Sequence, residues 1–159
     1  MRRFIVFVVL GMLFVANQTM AQGLGFKGVG GRLFFADPEG AGGTIGLGGH
    51  VHLGEIINNL VWHPSLEYFK KSGTSSITIN GDIRYYFPTP GNVDFFAGGG
   101  LAIQFLNNGG DQTDLGLDIL GGADFPIADN LVATAKIKFL ISDVDVLKIT
   151  GGITYLLGK

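Results

Sequence analysis

Eight successive runs of the chain alternate apolar residues with polar or small ones. They lie at about residues 26–35, 44–53, 60–69, 77–87, 93–105, 115–125, 131–141 and 147–157. Successive side chains of a β-strand point to opposite faces, so each run predicts a strand with two different environments. Clusters of Gly, Pro, Asn, Asp and Ser separate the runs by hairpin-length connections. The chain is therefore predicted to be all-β, with every strand antiparallel to the one before it.

The two faces of the predicted strands differ in charge. One face contains no Asp, Glu, Lys, Arg, Asn, Gln or His in any run. The other face carries five charges of each sign, namely Arg32, Arg84, Lys136, Lys138 and Lys148 against Glu67, Asp82, Asp94, Asp118 and Asp124. The apolar face therefore points either into a soluble barrel or outward into lipid.

Three features favour lipid. The runs have about the 9 to 11 residues that a tilted strand needs to cross a bilayer. Aromatic residues on the apolar face lie mostly near the ends of the runs, as interfacial girdles do. A soluble barrel for an apolar ligand would not line its lumen with ten charges. The sequence thus predicts an eight-stranded antiparallel up-and-down transmembrane β-barrel.

Glycine is unusually abundant, at 27 of 159 residues, and has no collagen-like period. The interior of an eight-stranded barrel is narrow, and glycines on its lumen face make room for large neighbours. We expect this role for Gly28, Gly30, Gly46, Gly48, Gly98, Gly100, Gly116, Gly122 and Gly152. The lumen is predicted to be packed rather than open.

The first 21 residues resemble a secretory signal peptide. Arg2 and Arg3 precede an apolar run from Phe4 to Ala16, and Ala21 ends a short polar segment. The run of 13 residues is too short to span a bilayer as a helix, which needs about 20. We therefore expect cleavage after Ala21, with residues 22–159 forming the barrel domain.

Composition excludes several classes of site. The chain has no Cys, so it has no disulfide, no thiol nucleophile and no Cys-ligated zinc. It has no cluster of Lys and Arg of the kind that binds nucleic acid. No cofactor is predicted.

Two segments carry a family resemblance: Arg84-Tyr85-Tyr86-Phe87-Pro88, and the glycine-rich run from Phe95 to Leu101. With the signal peptide and the eight amphipathic strands, they resemble the small outer-membrane barrels of the OmpA-like and OmpX-like type. The resemblance implies an outer-membrane protein of a diderm bacterium with both termini in the periplasm. It also implies outward-facing loops near Asp37, Ser72, Asn108 and Asp143, with outer-membrane lipids and the barrel-assembly machinery as partners.

Three groups of lumen residues are candidate sites. His50, His52 and His63 share the polar face, and a register with His63 opposite His50 would bring the three imidazoles together. They would then either bind a transition metal or hydrogen-bond to lumen acids such as Glu67.

His63, Ser65 and Glu67 also resemble the His-x-Ser pair and acid of outer-membrane lipid A deacylases. A nucleophile for a lipid ester should face the bilayer, whereas Ser65 is predicted to face the lumen. Pro64 could mark a bulge that reverses the faces locally.

The third group is the lumen charges, which predict either a salt-bridge plug or an ion pathway. Asp118 is expected near Lys136 or Lys138, and Arg84 near Asp82 and Asp94. The sequence thus favours a monomeric, non-enzymatic barrel that contributes to envelope integrity or surface interaction. The alternatives are a lipid A-modifying hydrolase using His63 and Ser65, and a narrow channel.

Overall fold

A computed structural model of the chain describes residues 25–39, 42–107 and 109–157. The predicted signal peptide and the loop residue Asn108 lie outside these residues. The strands are β1 (Phe26–Pro38), β2 (Thr44–Leu53), β3 (Glu55–Ile57), β4 (Leu60–Lys71), β5 (Thr74–Tyr86), β6 (Asp94–Asn107), β7 (Asp111–Ala128), β8 (Leu131–Ile141) and β9 (Val146–Leu156). No helix within the described ranges is long and apolar enough to cross a membrane.

The strands form one closed antiparallel sheet. Its order is β2-β1-β9-β8-β7-β6-β5-β4-β3, and β2 also pairs with β4. The short strand β3 continues β2 after Gly54 and pairs with the same neighbour, β4, so the nine elements make an eight-stranded barrel. The predicted fold and the antiparallel connections are confirmed. We call the end with the connections after β3, β5 and β7 the turn end, and the opposite end, with the connections after β1, β4, β6 and β8, the loop end.

The apolar face points outward. Leu115 and Ile45 are 75% and 73% exposed, whereas Asp82 and Lys138 on the other face are 0% exposed. This inversion of an ordinary soluble core confirms the predicted face assignment. The strands β1 and β4 follow the expected alternation, with Arg32 on β1 and His63 and Ser65 on β4 inside.

A small apolar cluster fills the lumen near the loop end; we call it the apolar cap. It consists of Phe34, Ala36, Phe69, Ala102, Leu140 and Val146. The Phe34 and Phe69 rings meet edge to face with centroids 6.4 Å apart, a favourable aromatic geometry. A Cβ at Gly46 would collide with the Phe34 ring. This glycine therefore makes room for the cap, as predicted.

Several strands begin or end beyond the predicted runs, and two of the differences concern acidic residues. β7 begins at Asp111 rather than near 115, and it pairs with β6 as far as Asn107. The added residues are polar, so a search for apolar alternation stops too early. Asp94 was expected among the lumen charges, but it is exposed because it begins β6 at the turn end. Asp114, which lay outside the predicted run, is a buried lumen carboxylate that the prediction missed.

Candidate functional site

The charged residues of the lumen form two ion-paired networks. In the first, Glu67 on β4 receives Lys148 Nζ at 2.7 Å and Arg32 Nη1 at 3.3 Å. Lys148 lies on β9 and Arg32 on β1, so one carboxylate joins three strands. The three residues are almost completely buried. Their charges are stable there because each contacts a group of opposite sign.

The second network centres on Asp82 and Lys138. Lys138 Nζ lies 2.8 Å from Asp82 Oδ1 and 2.9 Å from Asp118 Oδ2. Lys136 Nζ lies 3.5 Å from Asp82 Oδ2. The predicted contact of Asp118 with a β8 lysine is confirmed, and the pair crosses the ladder diagonally because Asp118 is in register with Leu140. The two networks connect six strands through the middle of the barrel.

Arg84 does not pair as expected. Neither Asp82 nor Asp94 forms an ion pair with it among the described residues, because Asp82 faces the lysines of β8 and Asp94 lies at the turn end. The Arg84 guanidinium instead lies over the Phe96 ring, 4.4 Å from its centroid. That contact covers one face of the guanidinium and leaves the N–H edges free to donate.

The three histidines converge, but in a different register from the one predicted. Ser65, not His63, is opposite His50. The difference of two residues places His63 beside His52, with His63 Nε2 2.9 Å from His52 Nδ1. The His50 and His63 rings are 5.4 Å apart.

The hydrogen bonds of the histidines involve protein partners. Arg32 Nε donates to His50 Nδ1 at 3.3 Å, so His50 carries its proton on Nε2, which lies 2.7 Å from the Thr154 hydroxyl. Within the described ranges, no three His, Asp or Glu residues are arranged to hold a metal ion. The rings therefore link β1, β2, β4 and β9 by hydrogen bonds.

His63, Ser65 and Glu67 do not form the hydrogen-bonded series of acid, histidine and serine that a hydrolase uses. Ser65 is buried on the lumen face, and its hydroxyl accepts a 3.2 Å hydrogen bond from Asn80. Glu67 binds Lys148 and Arg32, and His63 binds His52. No hydrogen bond joins His63 to Ser65 in the part of the chain that the structure describes. The local reversal considered at Pro64 does not occur, because Ser65 stays inside.

A cavity of about 510 Å³ opens at the turn end; we call it the vestibule. Its walls are formed by Lys27, His52, Gly54, Glu55, Val61, Tyr86 and Asp94. Behind it, Tyr86 donates a 2.7 Å hydrogen bond to Asp124, which also receives the Thr134 hydroxyl at 2.6 Å. The vestibule and the apolar cap thus give the two ends of the lumen different chemistry.

The sequence placed Tyr86 and Asp124 on the polar face but did not pair them. They lie on β5 and β7, which are separated by β6, and their contact depends on how far these strands slide past one another. In the structure Tyr86 is in register with Phe96, and Phe96 with Gly122, one lumen position from Asp124. A Cβ at Gly122 would collide with the Phe96 ring, so this glycine makes room for Phe96 and does not itself indicate the Tyr86–Asp124 pair.

Comparison with known proteins finds similarity at the level of structure. No family model and no curated protein sequence matches the chain. The crystal structure of Neisserial surface protein A has a TM-score of 0.69 at 19% identity, covering 85% of this chain and 99% of that one. The N-terminal barrel domain of Pseudomonas aeruginosa OprF has a TM-score of 0.65 at 18% identity, covering 83% and 98%.

The fold is that of the small outer-membrane β-barrels. A third structure, the attachment invasion locus protein of Yersinia pestis, has a TM-score of 0.51 at 16% identity and covers 86% of this chain and 99% of that one. Because the match covers nearly the whole length of each barrel, the similarity is to complete eight-stranded barrels. At these identities it concerns the fold.

Proposed function

We propose that the chain is an integral outer-membrane protein, exported with a signal peptide cut after Ala21, that acts without catalysis in envelope integrity or surface interaction. The single observation that carries this proposal is the inverted barrel. Large apolar side chains such as Leu33, Leu101 and Ile119 are 60% or more exposed, while the charges are inside. A continuous apolar surface around a monomer is unfavourable in water and favourable in lipid.

The contents of the lumen support a closed barrel rather than a channel. The apolar cap fills the loop end, and the two ion-paired networks cross the middle. A conducting pore needs a continuous polar path. We expect planar bilayers containing the refolded protein to show no steady single-channel steps. Steps that change with Lys136→Ala or Asp118→Ala would favour the channel instead.

The hydrolase is the second candidate that the sequence raised, and the engagement of Ser65, His63 and Glu67 with other partners argues against it. The test compares acyl release from lipopolysaccharide by the wild-type protein and Ser65→Ala. We expect no release above background from either. Release that Ser65→Ala abolishes would replace the proposed function.

The decisive experiment for the outer-membrane barrel is fractionation of the tagged protein in a diderm host, followed by gel migration with and without boiling. We expect an outer-membrane band that shifts on boiling, since a closed barrel resists detergent until heated. Depletion of the barrel-assembly machinery should remove the folded band that is seen in unboiled samples. Chemical cross-linking should give only monomer. Soluble periplasmic protein with no shift would refute the proposal.

A further inference from the structure

Three cationic side chains in the lumen each carry a buried nitrogen that makes no hydrogen bond among the described residues. The atoms are Arg32 Nη2, Arg84 Nε and Lys136 Nζ. Each residue is more than nine-tenths buried, with exposures of 6%, 2% and 3%. A buried charged donor without an acceptor has lost its hydration without replacement. Lys136 Nζ has a 3.5 Å ionic contact with Asp82 Oδ2 that is not a hydrogen bond, so each of the three donors can still take a further acceptor.

The charge balance in the middle of the lumen also favours a negatively charged partner for these donors. Its cations are Arg32, Arg84, Lys136, Lys138 and Lys148, and its carboxylates are Glu67, Asp82 and Asp118. This is an excess of two positive charges. Two further buried carboxylates bring the whole lumen to charge balance, but both have hydrogen-bond partners of their own: Asp124 is bound by Tyr86 and Thr134, and Asp114 by Gln112 near the loop end.

The three donor residues surround one region. Arg32 contacts His50, whose ring lies 5.4 Å from that of His63. His63 is in register with Asp82, and Asp82 Oδ2 lies 3.5 Å from Lys136 Nζ. Arg84 is the next lumen-facing residue of β5 after Asp82. This series of side-chain contacts and one register pair runs from β1 through β2, β4 and β5 to β8.

Glycines flank Arg32 on both sides and Arg84 and Lys136 on one side each, while the other strand neighbours are Val61 for Arg84 and Thr150 for Lys136. Arg32 is in register with Gly48 and Gly152, Arg84 with Gly98, and Lys136 with Gly122. No side chain from these positions lies beside the cationic groups. The glycine positions therefore leave room beside the cations, part of which the Phe96 and Glu67 side chains occupy.

We propose that the middle of the lumen binds a small inorganic anion, chloride, between Arg32, Arg84 and Lys136. A monatomic anion accepts hydrogen bonds from several directions, which suits donors arriving from three strands. The Lys136 ammonium has three N–H bonds, so it contacts Asp82 and the anion together. The route of entry is the vestibule, because Tyr86 in its wall is the next lumen-facing residue of β5 beyond Arg84.

The direct test is bromide substitution in crystals of the refolded wild-type protein. Bromide replaces chloride and is located by its anomalous scattering. We expect a peak in the lumen in contact with Arg84 and Lys136. A peak only at surface cations such as Lys70, or no peak, would overturn the proposal. This measurement needs no variant, so it does not depend on whether a mutant folds.

The second test is urea unfolding of the refolded protein at constant ionic strength, in chloride and in gluconate. An anion that binds only the folded barrel raises the unfolding midpoint, and each tenfold increase in chloride above its Kd adds about 1.4 kcal/mol. We expect Arg84→Gln to lose this chloride dependence. Lys70→Gln, an exposed change of equal charge outside the lumen, should keep it.

If Arg84→Gln does not fold, Arg84→Lys provides the same comparison with the charge retained, and we expect it to bind chloride at least tenfold more weakly. Equal midpoints in chloride and gluconate for the wild type would overturn the proposal. The proposal would also be overturned if the urea midpoints of Arg84→Lys and Lys70→Gln both depended on chloride as strongly as that of the wild type. The outer-membrane assignment is independent of these outcomes, because it rests on heat-modifiable migration.

Discussion

The ammonium of Lys138 donates a 2.8 Å hydrogen bond to Asp82 across the barrel, from β8 to β5. β8 and β5 are not neighbours in the sheet, so this contact spans the lumen rather than a strand pair. The same ammonium also holds Asp118 on β7. One buried cation thus joins three strands, and its removal leaves two buried carboxylates without their strongest partner.

We expect Lys138→Met to lower the free energy of unfolding by about 3 to 5 kcal/mol, the cost of breaking a buried ion pair from one side. Urea unfolding of the refolded protein in detergent measures the change. Lys70→Met, at an exposed position, serves as the control and should change stability by less than about 0.5 kcal/mol. Similar losses for the two variants would show that the Lys138 network does not stabilise the barrel.

Ile119→Arg should block assembly of the barrel. Ile119 is 60% exposed on the outer face near the middle of β7, and a cation at the bilayer midplane costs about 2 to 4 kcal/mol. Ile127→Arg places the same cation on the same strand near the turn end, where the cost falls to about 0 to 1 kcal/mol. The measurement is the fraction of heat-modifiable protein in membranes. Equal assembly of the two variants would contradict a lipid-facing surface.

Tyr86→Phe should lower the free energy of unfolding, because it removes a hydrogen bond at the turn end of the lumen. It removes the hydroxyl that donates to Asp124 at 2.7 Å, and a hydrogen bond to a charged group is worth about 1.5 to 3 kcal/mol. Tyr85→Phe removes a hydroxyl from the adjacent residue, which faces outward. We expect it to leave the urea midpoint nearly unchanged. A midpoint that falls equally in both variants would mean that the bond to Asp124 is not responsible.

The strand faces were predictable from sequence, whereas the contacts inside the lumen were only partly so. Alternation with a period of two reports which side of the sheet a residue occupies, and it placed Arg32, Glu67 and Lys138 inside. It does not report how far one strand slides past the next. A shift of two residues keeps every face and still changes the partner, which is why Ser65 rather than His63 lies opposite His50.

The unknown register between strands also explains why the predicted ion partners of Arg84 were wrong. Its neighbour Asp82 is on the same face of the same strand, and sequence proximity suggested a pair. The register of the barrel brings Lys136 and Lys138 to Asp82 and Phe96 to Arg84. Which cation captures a carboxylate in a closed barrel depends on contacts across the lumen, and a single strand contains no information about them.

Gly46→Ala tests whether glycine abundance reflects packing inside the lumen. A Cβ at Gly46 would overlap the Phe34 ring in the apolar cap and lie 2.8 Å from the Tyr68 carbonyl oxygen. Overpacking of this kind costs about 1 to 3 kcal/mol. Gly31→Ala is the matched control, since Gly31 faces outward and a Cβ there meets no atom within 4 Å. We expect the urea midpoint to fall for Gly46→Ala and to stay or rise for Gly31→Ala, because alanine restricts the unfolded chain. The opposite order would mean that the lumen near Phe34 is not close-packed.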